Sequence, residues 1–185
     1  RPQMHASKAF LITAATAVAV AEAIEAVSDK EAKIKWVNDI YCDNKKVCGI
    51  LTEASFDFES GIIDYAVLGI GINVRIPKEG FAEEIKDVAT GIFEYETSTS
   101  TDIRSKLIAE ILRRFWHYYK HIEDKSFLES YKSRSILINK EVNILSSKSS
   151  EKATVLEIDN DCRLKVQMED GSIRLLSSGE VSIRM

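Results

Sequence analysis

Three short runs hold the residues that could do chemistry. Lys35-Trp36-Val37-Asn38-Asp39 places a lysine and an aromatic at the end of a strand-like stretch, then two residues that favour turns. A lysine there sets a compact positive charge at a pocket mouth, though alone it reads more simply as a surface lysine. Ile34 and Trp36 would face one way, Lys33 and Lys35 the other. The second run is Gly49-Ile50-Leu51-Thr52-Glu53, and the third is Gly69-Ile70-Gly71-Ile72-Asn73-Val74. Glycine within a strand marks close approach by a ligand or another backbone, and strand packing accounts for either run taken singly. The third run is no dinucleotide fingerprint, because Val74 stands where a third glycine belongs and no helix follows at once.

The elements around these runs fall into two textures. Residues 7–27 predict an alanine-rich helix, apolar nearly all round as far as Ala21 and so covered on more than one side. Its most apolar stretch, residues 9–21, is shorter than the roughly 20 residues of a membrane span. Strands are predicted over residues 33–37, 47–54 and 62–70, the last continuously apolar and expected to be covered on both faces. Asp43-Asn44-Lys45 and Ser60-Gly61 read as turns, which makes neighbouring strands antiparallel. A short helix over 78–86, a loop over 91–100, and an amphipathic helix over 101–122 follow. Ser126 and Glu129 form a capping-box pattern for a helix to about Arg134. After Asn139 the period becomes two: Cys162, Leu164, Val166 and Met168 alternate with polar residues. Five short strands, at 142–145, 153–158, 162–168, 172–176 and 181–184, predict a small β-barrel. The expected class is therefore α+β, a largely antiparallel sheet packed with helices, with residues 1–138 and 139–185 as separate units.

Other clusters read as ordinary surface. His117 and His121 are four apart on a helix, but Tyr118 replaces the glutamate of a metalloprotease motif. His5 has no triad context, Asp57 and Glu59 flank a turn, and residues 146–150 read as a hairpin loop. The 185-residue chain is 45% apolar, which is enough for a core, and its net charge of -4 argues against a nucleic-acid partner for this part of the chain. Cys42, Cys48 and Cys162 fit neither a disulfide framework nor a zinc site, and a reducing cytoplasm is the natural setting.

The three runs in this order, with the Ser178-Gly179-Glu180-Val181-Ser182-Ile183-Arg184 run in the C-terminal strands, resemble the biotin protein ligase family. The resemblance implies a biotin/lipoate ligase-like catalytic domain followed by an SH3-like barrel. It implies ATP and biotin as substrates with Mg²⁺, biotinyl-AMP as intermediate, and a biotin carboxyl carrier domain as partner, with room for a homodimer and no membrane. By position, Lys35 matches the lysine that contacts biotin and the carboxylate-phosphate region, while Gly49, Ile50, Leu51 and Gly69 match the biotin pocket, with Ile70 a further liner. Asn38, Asp39, Gly71, Asn73 and, from the barrel, Arg184 match the nucleotide side. Val37 stands where the family commonly has proline. The family's Gly- and Arg-rich loop has no counterpart in this sequence, whose only arginines before residue 100 are Arg1 and Arg75, so the chain is expected to hold an incomplete catalytic domain. A lipoate-type ligase and a non-catalytic biotin-binding module are the alternatives.

Overall fold

The computed structural model describes residues 1–98, 101–145 and 150–177 and the backbone of 180–183. Helix α1 (Ala9–Val27) is its centre: every residue from Leu11 to Ala21 is buried. Alanines along α1 let neighbours approach closely, and the helix packs on α2 (Ile103–Lys120), α3 (Leu128–Ser133) and the first three strands. Its two buried hydroxyls are satisfied, Thr16 donating to the Ile12 carbonyl at 2.7 Å and Thr13 pairing with Thr52 at 2.8 Å. Residues 6–27 are long and apolar enough to cross a membrane, but 72% of the most apolar 18-residue window within them is buried by the protein itself.

Strands β1 (Lys33–Lys35), β2 (Asp39–Cys42), β3 (Lys45–Phe56) and β4 (Ile63–Ile72) form an antiparallel sheet in that order. Asp43 and Asn44 close the β2–β3 hairpin with φ of 51° and 63°, the left-handed pair of a type I′ turn. Gly61, at φ 67°, closes β3–β4, with the Asp57 carboxylate accepting from the Ser60 amide at 2.7 Å. The face carrying Ile34, Ile40 and Ile50 packs on α1 and is buried. Strand β2 had escaped the sequence reading because its four residues sit between two turns.

Strands β5 (Glu141–Leu145), β6 (Ser150–Ile158), β7 (Leu164–Met168), β8 (Ile173–Leu176) and β9 (Glu180–Ile183) make a second antiparallel sheet, ordered β8-β7-β6-β5-β9. All five expected strands are present, and Cys162, Leu164, Val166 and Met168 are buried as their alternation requires. Among the described residues β8 and β9 do not pair, so the sheet is not closed into a barrel. A seam joins the two sheets. The Trp36 indole donates to the Cys162 carbonyl at 2.9 Å, and the buried Tyr131 hydroxyl donates to the Val37 carbonyl at 2.9 Å.

Three local expectations are corrected. Strand β4 is covered on one face only, with Tyr65, Val67, Gly69 and Gly71 exposed and Ala66, Leu68, Ile70 and Ile72 half-buried. A continuous apolar run does not distinguish a strand buried twice from one with an open apolar face. Residues 78–86 form successive turns, with Ile85 and Lys86 both donating to the Ala82 carbonyl at 3.0 Å, and no helix. At α3 the N-cap is Phe127 and no side chain caps the helix, so the Ser126–Glu129 box does not form. The expected hairpin loop at 146–150 lies, but for Ser150, outside the described residues.

Candidate active site on the open sheet face

Register brings the three motifs together. Lys35 pairs with Asp39, Asp39 with Gly49, and Gly49 with Gly71, so four motif residues lie in one row across the sheet. Leu51 and Gly69 are partners in the next position on the same face. Opposite them Ile34 and Trp36 are buried, so the expected alternation through the lysine motif holds.

The row is kept low by glycine. A Cβ on Gly69 would come no nearer than 3.8 Å to Leu51, and one on Gly71 no nearer than 3.8 Å to the Gly49 carbonyl. Both are ordinary contacts, so the chain itself does not demand glycine at either place; the space above is left for something else. Two connected concavities occupy it. One, about 490 Å³, is bounded by Asn38, Asp39, Lys46, Leu51 and the three motif glycines. The other, about 640 Å³, reaches past Gly49 and Gly71 to Asn73 and the Ile85–Ala89 turns. A larger cavity of about 910 Å³ sits at the far end of α1 and has no motif residue in its wall.

Each expected site residue can now be placed. Lys35 ends β1 on the open face, and among the described residues no ion pair holds it. Asp39 bonds Lys46 at 2.6 Å. Asn38 staples the turn beneath them: its side-chain amide donates to the Ile50 carbonyl at 2.6 Å, while its own carbonyl accepts the Ile50 amide at 3.0 Å. That is a positioning role. Ile50 borders the smaller concavity, though alternation turns its side chain toward the core and leaves it 2% exposed. Ile70 shares that inner face, packed against the core, and also borders the concavity, while Leu51, 60% exposed, stands on the open side. Asn73 is held at the strand end by its backbone, its amide donating to the Val47 carbonyl at 2.8 Å and its carbonyl accepting from Ile92 at 2.9 Å. Arg184, with Ser178 and Gly179 of the same run, lies outside the described residues.

Lys46 was missed. Strict alternation back from Gly49 would turn it into the core. However, a β-bulge pairs Ile40 with Cys48 and Tyr41 with Lys46, leaving Val47 extra and returning Lys46 to the open face. No sequence signal marks that bulge.

The site's other groups are not nucleophiles. Burial, with Asp39 adding to it, pushes the Cys48 thiol up to about 12, so it stays protonated and unreactive. The same two causes raise the Tyr41 phenol. His117 and His121 are exposed with ring centroids 5.9 Å apart, and His5 bonds Ser7 at 2.9 Å. Among the described residues no three His, Cys, Asp or Glu cluster closely enough to hold a metal ion.

Residues 1–73 match the model of the biotin/lipoate A/B protein ligase family, and residues 137–184 match that of the biotin protein ligase C terminal domain. The bifunctional ligase/repressor BirA of Bacillus spizizenii is 33% identical over 184 residues, covering 96% of this chain and 54% of that protein. BirA of Escherichia coli is 25% identical over 170 residues, 90% of this chain and 51% of that one. The chain thus spans about half the length of these curated relatives. An apo structure of the Aquifex aeolicus biotin protein ligase superposes with a TM-score of 0.74 at 26% identity, covering 95% of this chain and 75% of that one. The same enzyme in complex with biotin and ATP gives 0.71 at 26% identity, covering 95% and 71%. With the lysine motif and both glycine runs aligned across one open sheet face, and with family matches on both sides of the seam, the chain belongs to the biotin protein ligase family.

Proposed function

We propose that the open face binds biotin and ATP, forms biotinyl-AMP, and passes the biotinyl group to a lysine of a biotin carboxyl carrier domain. The observation that carries this is the Lys35–Asp39–Gly49–Gly71 row, on a fold similar to that of a ligase whose structure contains biotin and ATP. In the first step a biotin carboxylate oxygen attacks the α-phosphorus and pyrophosphate leaves. In the second the carrier amine attacks the acyl carbon, AMP leaves, and the amine sheds a proton. Neither step needs a protein nucleophile, in keeping with a face that offers position and charge. Lys35 is the cation for the oxygens that crowd together in the first step, while Leu51 and the bare glycine backbone take the apolar part of biotin. Asn73 and Gly71 serve the nucleotide, and Arg184 is carried as a further nucleotide contact from the C-terminal unit.

The described residues do not form a resident metal site. Mg²⁺ is assigned to the ATP phosphates, as is usual for a cation that keeps most of its water. Residues 1–138 serve as the catalytic portion and 139–185 as an SH3-like unit, with the seam supporting the idea that the second stiffens the first. The three cysteines are free and buried, which suits a cytoplasmic setting.

One observation favours a second reading, a module that binds without turnover. The site is a shallow open face, and a mixed anhydride made there needs shielding from water. Incubating the chain with biotin, ATP, Mg²⁺ and a carrier domain separates the two. A carrier mass increase equal to one biotinyl group supports the ligase. Biotin and ATP binding with unmodified carrier supports the module, and lipoate outcompeting biotin points to the lipoate-type relative. Binding of neither ligand overturns all three.

A further inference from the structure

The larger concavity has one wall that does not belong to the sheet. Ile85, Val88 and Ala89 line it together with Gly71 and Asn73, and all three come from the loop of residues 77–90. That loop buries little apolar surface of its own, with Ile85 44% and Val88 48% exposed. β3 holds it by backbone bonds, the Lys46 amide donating to the Val88 carbonyl at 2.8 Å and the Thr90 amide to the Lys46 carbonyl at 2.9 Å. The ends of the loop meet in a neck. The Ile92 amide donates to the Asn73 carbonyl at 2.9 Å, the Phe93 amide to the Val74 carbonyl at 3.0 Å, and the Ile76 amide to the Phe93 carbonyl at 3.0 Å. Arg75 stands in this parallel pairing, opposite Phe93, and its side chain carries the neck one turn further. Nη1 donates to the carbonyls of Glu94, Tyr95 and Thr97 at 3.2, 3.4 and 2.7 Å, while the Thr97 amide closes that turn on the Glu94 carbonyl at 3.2 Å. Carbonyl oxygens that converge on one point call for a cation, and arginine keeps its charge at any working pH.

We propose that Arg75 is a positioning residue for nucleotide binding, acting through the loop it ties and not by touching the ligand. Its guanidinium knots the chain entering the loop to the turn that follows it. The knot fixes the wall of Ile85, Val88 and Ala89, and with it the backbone of Asn73, two residues before Arg75. A loop with few buried contacts opens locally at a cost well below that of global unfolding. Apparent affinity scales with the fraction of molecules whose site is in the competent arrangement. Without the guanidinium the backbone bonds of the neck remain, but the turn beyond them is released and fewer molecules hold the wall in place. The biotin side has independent support, since Leu51 and Gly69 pair within the β3–β4 ladder.

This rests on the ligase reading, and the test keeps the two apart. The wild-type chain, Arg75→Met and Arg75→Lys are titrated calorimetrically with ATP and, separately, with biotin. Each is also digested briefly with trypsin, which has sites in the loop at Lys78 and Lys86. Arg75→Met should bind ATP about tenfold more weakly and biotin as wild type does. It should be cut faster at Lys78 or Lys86, while its unfolding midpoint falls by no more than about 2 °C, because the opening is local. A role in overall stability would lower the midpoint and weaken both ligands together, and that result overturns the assignment. So does an unchanged ATP affinity, or an unchanged rate of cutting in the loop. ATP affinity restored in Arg75→Lys while the loop is still cut quickly would mean that the charge meets the phosphates directly, and overturns it too. A wild-type chain that does not bind ATP overturns it together with the ligase reading.

Discussion

Two regions of this molecule spend their side chains differently. On the open face of the first sheet, glycine and a few charged residues hold the surface low, and Leu51 and Val67 stand 60% and 54% exposed. At the seam with the second sheet, Trp36, Phe127, Tyr131, Leu137 and Cys162 are all buried and the polar atoms of Trp36 and Tyr131 each find a carbonyl. Both regions are built from one short segment: Lys35 belongs to the face and Trp36, the next residue, to the seam. Two successive residues at the end of β1 thus couple a site to its support. Perturbing the face should change binding and leave stability alone; perturbing the seam should do the reverse.

Trp36→Ala is the harshest test. It removes a 3%-exposed aromatic that packs 5.9 Å from Phe10 and reaches across to Cys162. Truncations of this kind cost about 3–5 kcal/mol, which lowers the unfolding midpoint of a chain this size by roughly 6–20 °C. Scanning calorimetry reads it directly. A shift of a degree or two would mean that the seam does not hold the sheets together.

Lys35→Ala is next, with the opposite signature. Loss of one preorganised charge should lower adenylate formation by about 10²-fold while the midpoint stays within about 2 °C, because Lys35 is only half-buried and no ion pair among the described residues holds it. Pyrophosphate release at saturating biotin and ATP is the assay. A near-wild-type rate would remove Lys35 from the chemistry.

Gly71→Val and Gly91→Ala sharpen the contrast with glycines alone. At Gly71 the chain leaves room for a side chain, and valine suits a strand, so stability should hold while ligand affinity falls by about tenfold or more. At Gly91 a Cβ would stand 2.5 Å from the Ile76 amide nitrogen. There the backbone must shift, and the midpoint should fall with any ligand effect secondary. Equal behaviour of the two variants would sink the claim that the Gly71 space belongs to a ligand.

Much of this was legible in the residues and some was not. Period-two alternation after Asn139 is a strong local signal, and all five strands followed from it. The motif lysine and glycines stand out by type, and their roles came from the resemblance of the three runs in order, yet their convergence in one row depends on register, which requires β2, a four-residue strand without a strong pattern of its own. Ile50 is matched to the pocket by the resemblance and does border the groove, but the alternation of the strand, which the resemblance does not convey, turns its side chain toward the core. Lys46 was hidden for the complementary reason, a bulge that breaks alternation. β4 looked doubly buried because apolar residues on an open face carry the same letters as apolar residues in a core.

The smallest effect expected concerns pH at the support. Glu25 on α1 binds Arg134, just beyond α3, through two bonds of 2.6 and 2.8 Å, and Arg134 also donates to the Ala32 carbonyl at 2.9 Å, immediately before β1. Burial acts to raise the Glu25 carboxyl, but the Arg134 bond, the Ala32 amide and nearby positive charge outweigh it and hold the group below its ordinary 4.5. The folded value is thus the lower of the two. Its stabilisation is present above the unfolded value and is lost as pH falls through the folded one. Because the two side chains keep 30% and 19% of their exposure, solvent screening limits the contribution to about 1 kcal/mol or less. Wild type should therefore unfold a few degrees above Glu25→Gln at neutral pH, with the gap closing as pH falls below about 4.5. Pyrophosphate release at neutral pH should be nearly equal in the two proteins, since Glu25 belongs to the support and the row on the open face is untouched. A gap that persists unchanged to about pH 3 would show that packing at this position, and not its charge, ties α1 to the strand that carries Lys35.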